Sequence, residues 1–254
     1  MLLEGKVAFV SGASREHGVG RAIAQALANE GASVAVSGRN HMEGAIAVAK
    51  EIREMGRKST AIKMDVRDYN DVKRGFAIVK QELGPVNILV NNAAQMGHFM
   101  SIDKASPEEW DNEVKVCLNS AFYCIKDVWS DMRANNFGRI VNISSVAGVL
   151  GGYGQSSYGA AKAGLINLTK SVALEGARCN ITANAVVIGI ANTEAYWEPI
   201  PEVTRERIEK RTAIGRPANP SEIADAVVYL ASDKSQYMTG AVMNMMGGLD
   251  LFVF

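Results

Sequence analysis

The chain has 254 residues, of which 48% are hydrophobic and 21% are charged. A chain of this length and composition can bury a large core, which excludes a disordered or peptide-sized protein. The 27 Lys and Arg residues balance the 27 Asp and Glu residues, so no net charge attracts nucleic acid or an acidic membrane surface. Because folds of mixed helix and strand commonly reach ~250 residues as one unit, we expect a single domain over residues 1–254.

The beginning of the chain shows no sign of a leader or a membrane span. Its first apolar run, Val7–Val10, is far shorter than the ~20 residues that cross a bilayer. We therefore expect a cytoplasmic protein that does not bind membranes. Cys117, Cys124 and Cys179 are odd in number and lack CxxC spacing, so we expect reduced thiols and no metal site.

Short apolar runs alternate with segments of helical periodicity along the chain. The runs are continuously apolar, which is typical of buried parallel strands. They are Val7–Val10, Ser33–Val36, Ala61–Met64, Ile88–Val90, Ile140–Ile143, Thr182–Val187 and Ala241–Met243. The sequence therefore predicts an α/β fold, a Rossmann-type doubly wound parallel sheet of about seven strands with helices on both faces.

Three helix starts can be placed from local signals. A helix is predicted from Arg21, with an apolar face every third or fourth residue and Gly31 as its stop. Ser106–Glu109 has the pattern of a capping box, with Pro107 in the first turn. Residues 219–222 repeat that pattern.

The turn between the first strand and the first helix is rich in glycine. Glycines at this junction let backbone amides and the helix N-terminus approach a pyrophosphate, which a Cβ would obstruct. Such a triplet also occurs in ordinary turns, but its position at the first βα junction favours a dinucleotide site. The predicted cofactor residues of this loop are Gly12, Ser14, Arg15, Gly18, Val19 and Gly20.

The end of the second strand indicates which dinucleotide is bound. The stretch 37–40 reads Ser, Gly, Arg, Asn and holds no carboxylate for a ribose 2′-hydroxyl. Arg39 can pair with a 2′-phosphate instead, so NADP(H) is preferred and NAD(H) is the alternative. A solvated loop cation is the other interpretation of Arg39.

Three polar residues have the spacing of a catalytic group. Tyr158 and Lys162 are i, i+4 neighbours on one helical face. A free tyrosine has a pKa of about 10, and a nearby ammonium favours its phenolate. Ser145 lies thirteen residues before Tyr158, just beyond a predicted strand, where sites open in α/β sheets. Its hydroxyl can polarise a carbonyl.

In combination, these motifs resemble the short-chain dehydrogenase/reductase family, in its compact single-domain type, over essentially the whole chain. Further pieces occur in family order at family spacing. They are Asp65–Val66, Asn91–Ala94, Asn119, Gly189 with Thr193, Gly215–Arg216, Ser232–Asp233 and Gly247–Gly248.

The resemblance implies a role for each site residue. Tyr158 is the general acid for ketone reduction or the base for alcohol oxidation, and Lys162 lowers its pKa and holds the nicotinamide ribose. Ser145 binds the substrate oxygen, and Asn119 helps hold a water that links Lys162 to solvent. The implied cofactor contacts outside the glycine loop are Asp65, Val66, Asn91, Ala93, Gly189, Ile190 and Thr193, with Tyr158 and Lys162.

The glycine loop departs from the common family form. Five residues separate Gly12 from Gly18, two more than is usual, and the excess falls on 15–17. Arg15 is either a second cation for the 2′-phosphate or a residue that faces water. Ile188 replaces the family's proline before Gly189, which removes a fixed φ and adds an amide donor.

The resemblance places a substrate lid at residues 191–212. Its aromatic residues Tyr196 and Trp197 suggest an NADP-dependent alcohol dehydrogenase or carbonyl reductase for a hydrophobic or cyclic ketone. A 3-oxoacyl thioester reductase is the alternative, because the basic residues of 205–211 could receive an acidic carrier, although glutamates interleave with them. A non-catalytic NADP(H)-sensing protein is the alternative of another class.

The last residues bear on assembly. The tail 249–254 is apolar apart from Asp250 and suits a subunit contact. With the resemblance, it implies a homotetramer assembled through the Tyr158 helix and the last strand, or a dimer.

Overall fold

The computed structural model describes residues 1–95, 99–198 and 200–251. Within these ranges, seven strands form one sheet in the order β3-β2-β1-β4-β5-β6-β7, and every neighbouring pair is parallel. The strands are β1 Val7–Val10, β2 Ser33–Gly38, β3 Ser59–Lys63, β4 Ile88–Asn91, β5 Gly138–Ser145, β6 Ile181–Ile188 and β7 Val242–Met245. The predicted doubly wound sheet is confirmed.

Helices cover both faces of the sheet. They are α1 Val19–Asn29, α2 Met42–Glu54, α3 Tyr69–Glu82, α4 Pro107–Val114, α5 Ser120–Ala134, α6 Ala147–Leu150, α7 Ser156–Gly176, α8 Glu194–Trp197, α9 Glu202–Arg211 and α10 Pro220–Ala231. A π-helical turn, Lys115–Asn119, joins α4 to α5. Among the described residues, no helix is long and apolar enough to cross a membrane.

Two apolar clusters form the core, one on each face. Side chains of α1, α2 and α10 pack on one face, with Ile23, Val48 and Val227 among the fully buried residues. On the other face, α3, α5 and α7 pack around residues such as Phe76 and Val128. This arrangement leaves the carboxyl ends of the central strands uncovered by core helices.

The capping signals locate helix starts well. Ser106 Oγ accepts from the Glu109 amide at 3.1 Å, and the Glu109 carboxylate accepts from the Ser106 amide at 3.1 Å. Asn219 and Glu222 form the second predicted capping box. Helix α1 begins at Val19, two residues before the predicted start, because the helix takes in the last glycine of the loop.

The two longest strands extend beyond their apolar runs. β5 includes the buried polar residues Asn142, Ser144 and Ser145, of which the two serines lie beyond the predicted run Ile140–Ile143. Their polar atoms are satisfied inside the protein: Asn142 Nδ2 donates to Thr169 Oγ1 at 2.9 Å, and Ser144 Oγ donates to the Lys162 carbonyl at 3.0 Å.

The strand order reverses between β1 and β4. Ligands of open α/β sheets bind outside the carboxyl ends of the strands at such a switch point. The glycine loop leaves β1 there, and Ser145 ends β5.

Candidate active site

Two cavities meet at the carboxyl edge of the sheet. The larger, about 620 Å³, holds the predicted catalytic residues Ser145, Tyr158 and Lys162. The smaller, about 390 Å³, lies beside the ends of β2 and β3. The residues common to both are Gly12, Arg15, Asn92 and Ala94. Together the cavities form an elongated cleft, the shape that a dinucleotide requires.

The glycine loop is packed too closely for side chains at two of its glycines. Gly12 has φ +67°, and a Cβ there would lie 2.8 Å from Ala93 Cα. A Cβ on Gly20 would lie 2.5 Å from Asn92 Nδ2. Asn92 also fixes the loop, because its Nδ2 donates to the Ser11 carbonyl at 2.9 Å and to the Gly12 carbonyl at 3.0 Å. These glycines keep the loop backbone open toward the cleft, as a pyrophosphate site needs.

A glycine outside the predicted motif also supports this loop. Gly44, in the first turn of α2, would place a Cβ 1.9 Å from the Ser14 carbonyl oxygen. Only a glycine lets α2 approach the loop this closely. Its contact partner lies thirty residues earlier, so no local sequence signal marks it.

The smaller cavity brings together the residues predicted to hold the adenosine end of the cofactor. Its lining includes Ser14, Arg39, Asp65, Val66 and Ala93. Arg39 lies 3.9 Å from the Asp65 carboxylate, and its Nε donates to Asn40 Oδ1 at 3.2 Å.

Arg67 is a residue of this region that sequence reasoning missed. Its guanidinium donates two hydrogen bonds to the Asp65 carboxylate, from Nε to Oδ1 at 2.9 Å and from Nη2 to Oδ2 at 2.6 Å. This hydrogen bonding lowers the pKa of the Asp65 carboxyl below its usual value. Because Arg67 supplies the close partner for Asp65, the longer Arg39 contact is the weaker of the two.

Asn91 does not line the cleft, whereas its neighbours Asn92 and Ala94 do. It is buried and does not line either cavity; its Nδ2 donates to Asn142 Oδ1 at 2.8 Å. Asn92 and Ala94 line the cleft in its stead. Asn91 thus supports the turn after β4 from beneath.

The central residues of the larger cavity are held rigidly. Lys162 is 2% exposed, and its Nζ donates to the Ile143 carbonyl at 2.8 Å. The same Nζ lies 5.6 Å from the centroid of the Tyr158 ring. Ser145 Oγ accepts from the Ala147 amide at 3.2 Å. Helix α7 therefore presents Tyr158 and Lys162 on one face, as predicted, opposite the end of β5.

Burial has the largest effect on the pKa values of Tyr158 and Lys162. It raises the pKa of the Tyr158 phenol above its usual value, the neighbouring Cys117 raises it further, and a side-chain hydrogen bond with Ser145 lowers it. Burial also lowers the pKa of Lys162. Desolvation is the largest of these effects on Tyr158, and the lowering of its pKa by Lys162 stays a prediction. A protonated phenol at neutral pH suits a proton donor.

The π-helical turn Lys115–Asn119 places Cys117 beside the catalytic pair. Cys117 packs with Ala161 and Tyr158 and interacts electrostatically with Lys162. Asn119, two residues later and half-buried, is not part of the lining of either cavity.

The predicted nicotinamide residues also belong to the larger cavity. Gly189, Ile190 and Thr193 all line it. The Gly189 amide donates to the Met245 carbonyl at 3.1 Å, and the Ile190 carbonyl accepts from the Ala218 amide at 2.9 Å. A Cβ on Gly189 would lie 3.0 Å from Met246 Cα, so the strand end is fixed without the proline.

Comparison with known proteins agrees with this geometry. A family model described as enoyl-(acyl carrier protein) reductase matches residues 12–250. An acetoacetyl-CoA reductase of Rhizobium meliloti is 41% identical over 96% of this chain and 98% of its own. A 3-oxoacyl-[acyl-carrier-protein] reductase FabG of Staphylococcus aureus is 38% identical over the same shares. A crystal structure from Sinorhizobium meliloti 1021, described as a short-chain alcohol dehydrogenase, is 33% identical with a TM-score of 0.92 and covers 99% of this chain and 98% of that one.

The fold and the cleft define an oxidoreductase that acts on a CH–OH or C=O group with a nicotinamide cofactor. The chain belongs to the short-chain dehydrogenase/reductase family.

Proposed function

We propose that this protein is an NADP(H)-dependent reductase of 3-oxoacyl thioesters. The observation that carries the proposal is the similarity, over 96% of the chain, to reductases named for acetoacetyl-CoA and for 3-oxoacyl carrier-protein substrates. This favours the thioester over the hydrophobic or cyclic ketone as the leading substrate class.

The larger cavity suits a thioester substrate. Phe99, Leu150, Ile200 and Ile208 give it an apolar wall for an acyl group. Arg211 also lines it, and within the described ranges Arg211 takes part in no ion pair. A free cation beside an apolar pocket matches a substrate with an acyl chain and a phosphate-bearing carrier.

Each residue of the catalytic group has its own role in the proposed reaction. When bound, NADPH would supply the hydride for the carbonyl carbon. The Tyr158 phenol donates its proton to the carbonyl oxygen, since burial keeps the phenol protonated at neutral pH. Ser145, at the end of β5, holds that oxygen by its hydroxyl. Lys162, fixed on the Ile143 carbonyl, holds a positive charge beside the phenolate that forms.

Arg39 supports NADP(H) as the cofactor. It lines the cavity at the end of β2, and the residues 37–40 offer no carboxylate to a ribose. Because Arg67 donates hydrogen bonds to the Asp65 carboxylate, the Arg39 guanidinium is available to a 2′-phosphate. We further propose a single domain with residues 191–212 as the lid.

The test is turnover by the purified protein on acetoacetyl-CoA and on a panel of cyclic and aromatic ketones, each with NADPH and NADH. We expect acetoacetyl-CoA with NADPH to give the highest kcat/KM. The Tyr158→Phe variant should bind NADPH and lose about 10²- to 10⁴-fold in kcat. Preference for a cyclic ketone would overturn the substrate assignment, and cofactor binding without any turnover would favour a sensing protein.

A further inference from the structure

The apex of the glycine loop, residues 15–17, touches the segment that follows β6. The His17 amide donates to Glu194 Oε1 at 3.1 Å, across 177 residues of chain. The His17 ring lies 5.2 Å from the Trp197 ring, tilted by 45°. Arg15 Nη1 lies 3.7 Å from Glu198 Oε2. We call these three contacts the clasp.

The clasp spans the cleft between its two walls. Gly18, Val19 and Gly20, next to the apex, line the larger cavity on one side. Thr193 and Glu194 line it on the other. Arg15 stands where the two cavities meet. The clasp therefore closes over the middle of the elongated cleft, where the pyrophosphate of a dinucleotide would lie.

The segment that the clasp holds is anchored at its base. Ala191 bridges Ala218, and the Asn192 amide donates to the Ala218 carbonyl at 2.9 Å. Helix α8 extends from this base toward the loop apex. The clasp thus decides whether α8 stays against the glycine loop.

The three contacts differ in strength. The Arg15 and Glu198 side chains are 53% and 63% exposed, so their ion pair is weak. The Glu194 contact is a hydrogen bond from a backbone amide to a carboxylate, a type roughly twice as strong as a neutral one. Ring packing of His17 on Trp197 adds to it. Glu194 is therefore the principal link, and the clasp is weak enough to open for cofactor exchange.

We infer that the clasp retains the bound cofactor, with Glu194 and His17 as positioning residues that slow its dissociation. This inference rests on the proposed function, because it assumes a dinucleotide in the cleft. It also assigns a role to the residues by which the loop is longer than usual. The backbone amide and the ring of His17 contact α8. A shorter loop would lack these contacts.

The test is the NADPH dissociation rate, measured by stopped-flow fluorescence on displacement with excess NADP⁺. We expect Glu194→Ala to raise the rate roughly ten- to hundredfold, as for the loss of one charged hydrogen bond. Glu194→Gln, which keeps an acceptor, should lie nearer the wild type, and His17→Ala should raise the rate about two- to threefold through loss of the ring contact. Glu202→Ala, exposed on α9 and outside the clasp, is the matched control.

Limited trypsin digestion gives a second readout independent of activity. Arg205, Arg207, Lys210 and Arg211 offer cleavage sites on α9. NADPH should slow their cleavage in the wild type and do so less in Glu194→Ala. Unchanged dissociation rates and equal protection in the clasp variants would overturn the inference while the proposed function stands. A wild type that binds neither NADPH nor NADH would overturn the proposed function, and this inference with it.

Discussion

The Cys117 thiol donates to the carbonyl of Gln95, with a separation of 3.4 Å between Sγ and oxygen. Burial raises the pKa of Cys117, as it raises that of Cys124 to about 12. Cys179 is less buried than either. Because the thiolate is the reactive form, we expect N-ethylmaleimide at pH 8 to modify Cys179 first and leave activity intact.

Mass spectrometry of the peptides, taken alongside the activity, checks this order of labelling. The Cys179→Ser variant is the control and should lose the fast phase of labelling. Rapid inactivation together with early modification of Cys117 would show that the thiol beside Tyr158 is open to solvent.

Arg39 should determine the choice between NADPH and NADH. We expect Arg39→Ser to raise the Kd of NADPH about tenfold, since one charged contact to the 2′-phosphate is lost. The Kd of NADH should change little. Fluorescence titration measures both constants, with Arg53→Ser, outside both cavities on α2, as the control. Equal weakening of both cofactors would mean that Arg39 does not recognise the phosphate.

The Gly44→Ala substitution has two opposing effects on the free energy of unfolding. Helix propensity alone favours alanine by about 1 kcal/mol. The new Cβ would lie 1.9 Å from the Ser14 carbonyl oxygen, and such overpacking costs about 1–3 kcal/mol or more. We expect the clash to dominate, with a lower Tm and weaker NADPH binding as the glycine loop shifts. Thermal unfolding and titration test this against Glu43→Ala, an exposed neighbour in the same turn. A higher Tm for Gly44→Ala would contradict the close packing.

The Arg216–Glu222 pair should make the thermal stability of the protein depend on pH in the acid range. Arg216 donates to both Glu222 carboxylate oxygens at 2.8 Å, and this lowers the pKa of Glu222 from 4.5 to about 2. A lowered folded-state pKa contributes stability that is present above the unfolded value and lost as pH falls through the folded value. Arg216→Met should therefore lower Tm at neutral pH, and its difference from wild type should shrink as pH falls from 4.5 toward 2.

Differential scanning calorimetry across that pH range checks the prediction. Arg178→Met, exposed in the 3-10 turn that follows α7, is the control and should show no such narrowing of the Tm difference. A Tm difference independent of pH would mean that the pair acts through packing alone.

Local patterns predicted the parts of the site that one element holds. Tyr158 and Lys162 share a face of one helix, and Ser145 ends a strand, so spacing alone places them. The region around Asn119 is different, because a π-helical turn carries one more residue than an α-helical turn and shifts the helical phase of the residues after it. The role assigned to Asn119 stays a prediction, whereas Cys117 contacts the Tyr158 environment.

Contacts between distant segments lay beyond the sequence patterns. Arg67 and Gly44 carry no motif, and their importance appears only when Asp65 and Ser14 are brought beside them. The buried serines that end β5, Ser144 and Ser145, were left out of the predicted strand, because a search for apolar runs stops at Ile143. The predicted subunit contact of the tail falls partly on 252–254, outside the described residues, and stays a prediction.

Helix α9 has no buried residue, although residues at its end and middle reach the larger cavity. Its sequence is therefore nearly independent of the core, and substitutions on it cost little folding free energy. If residues 191–212 form the proposed lid, we expect mutations that change substrate choice and mutations that unfold the protein to fall on different segments. On the proposed assignment of α9 to the lid, directed evolution of substrate specificity should begin on this helix.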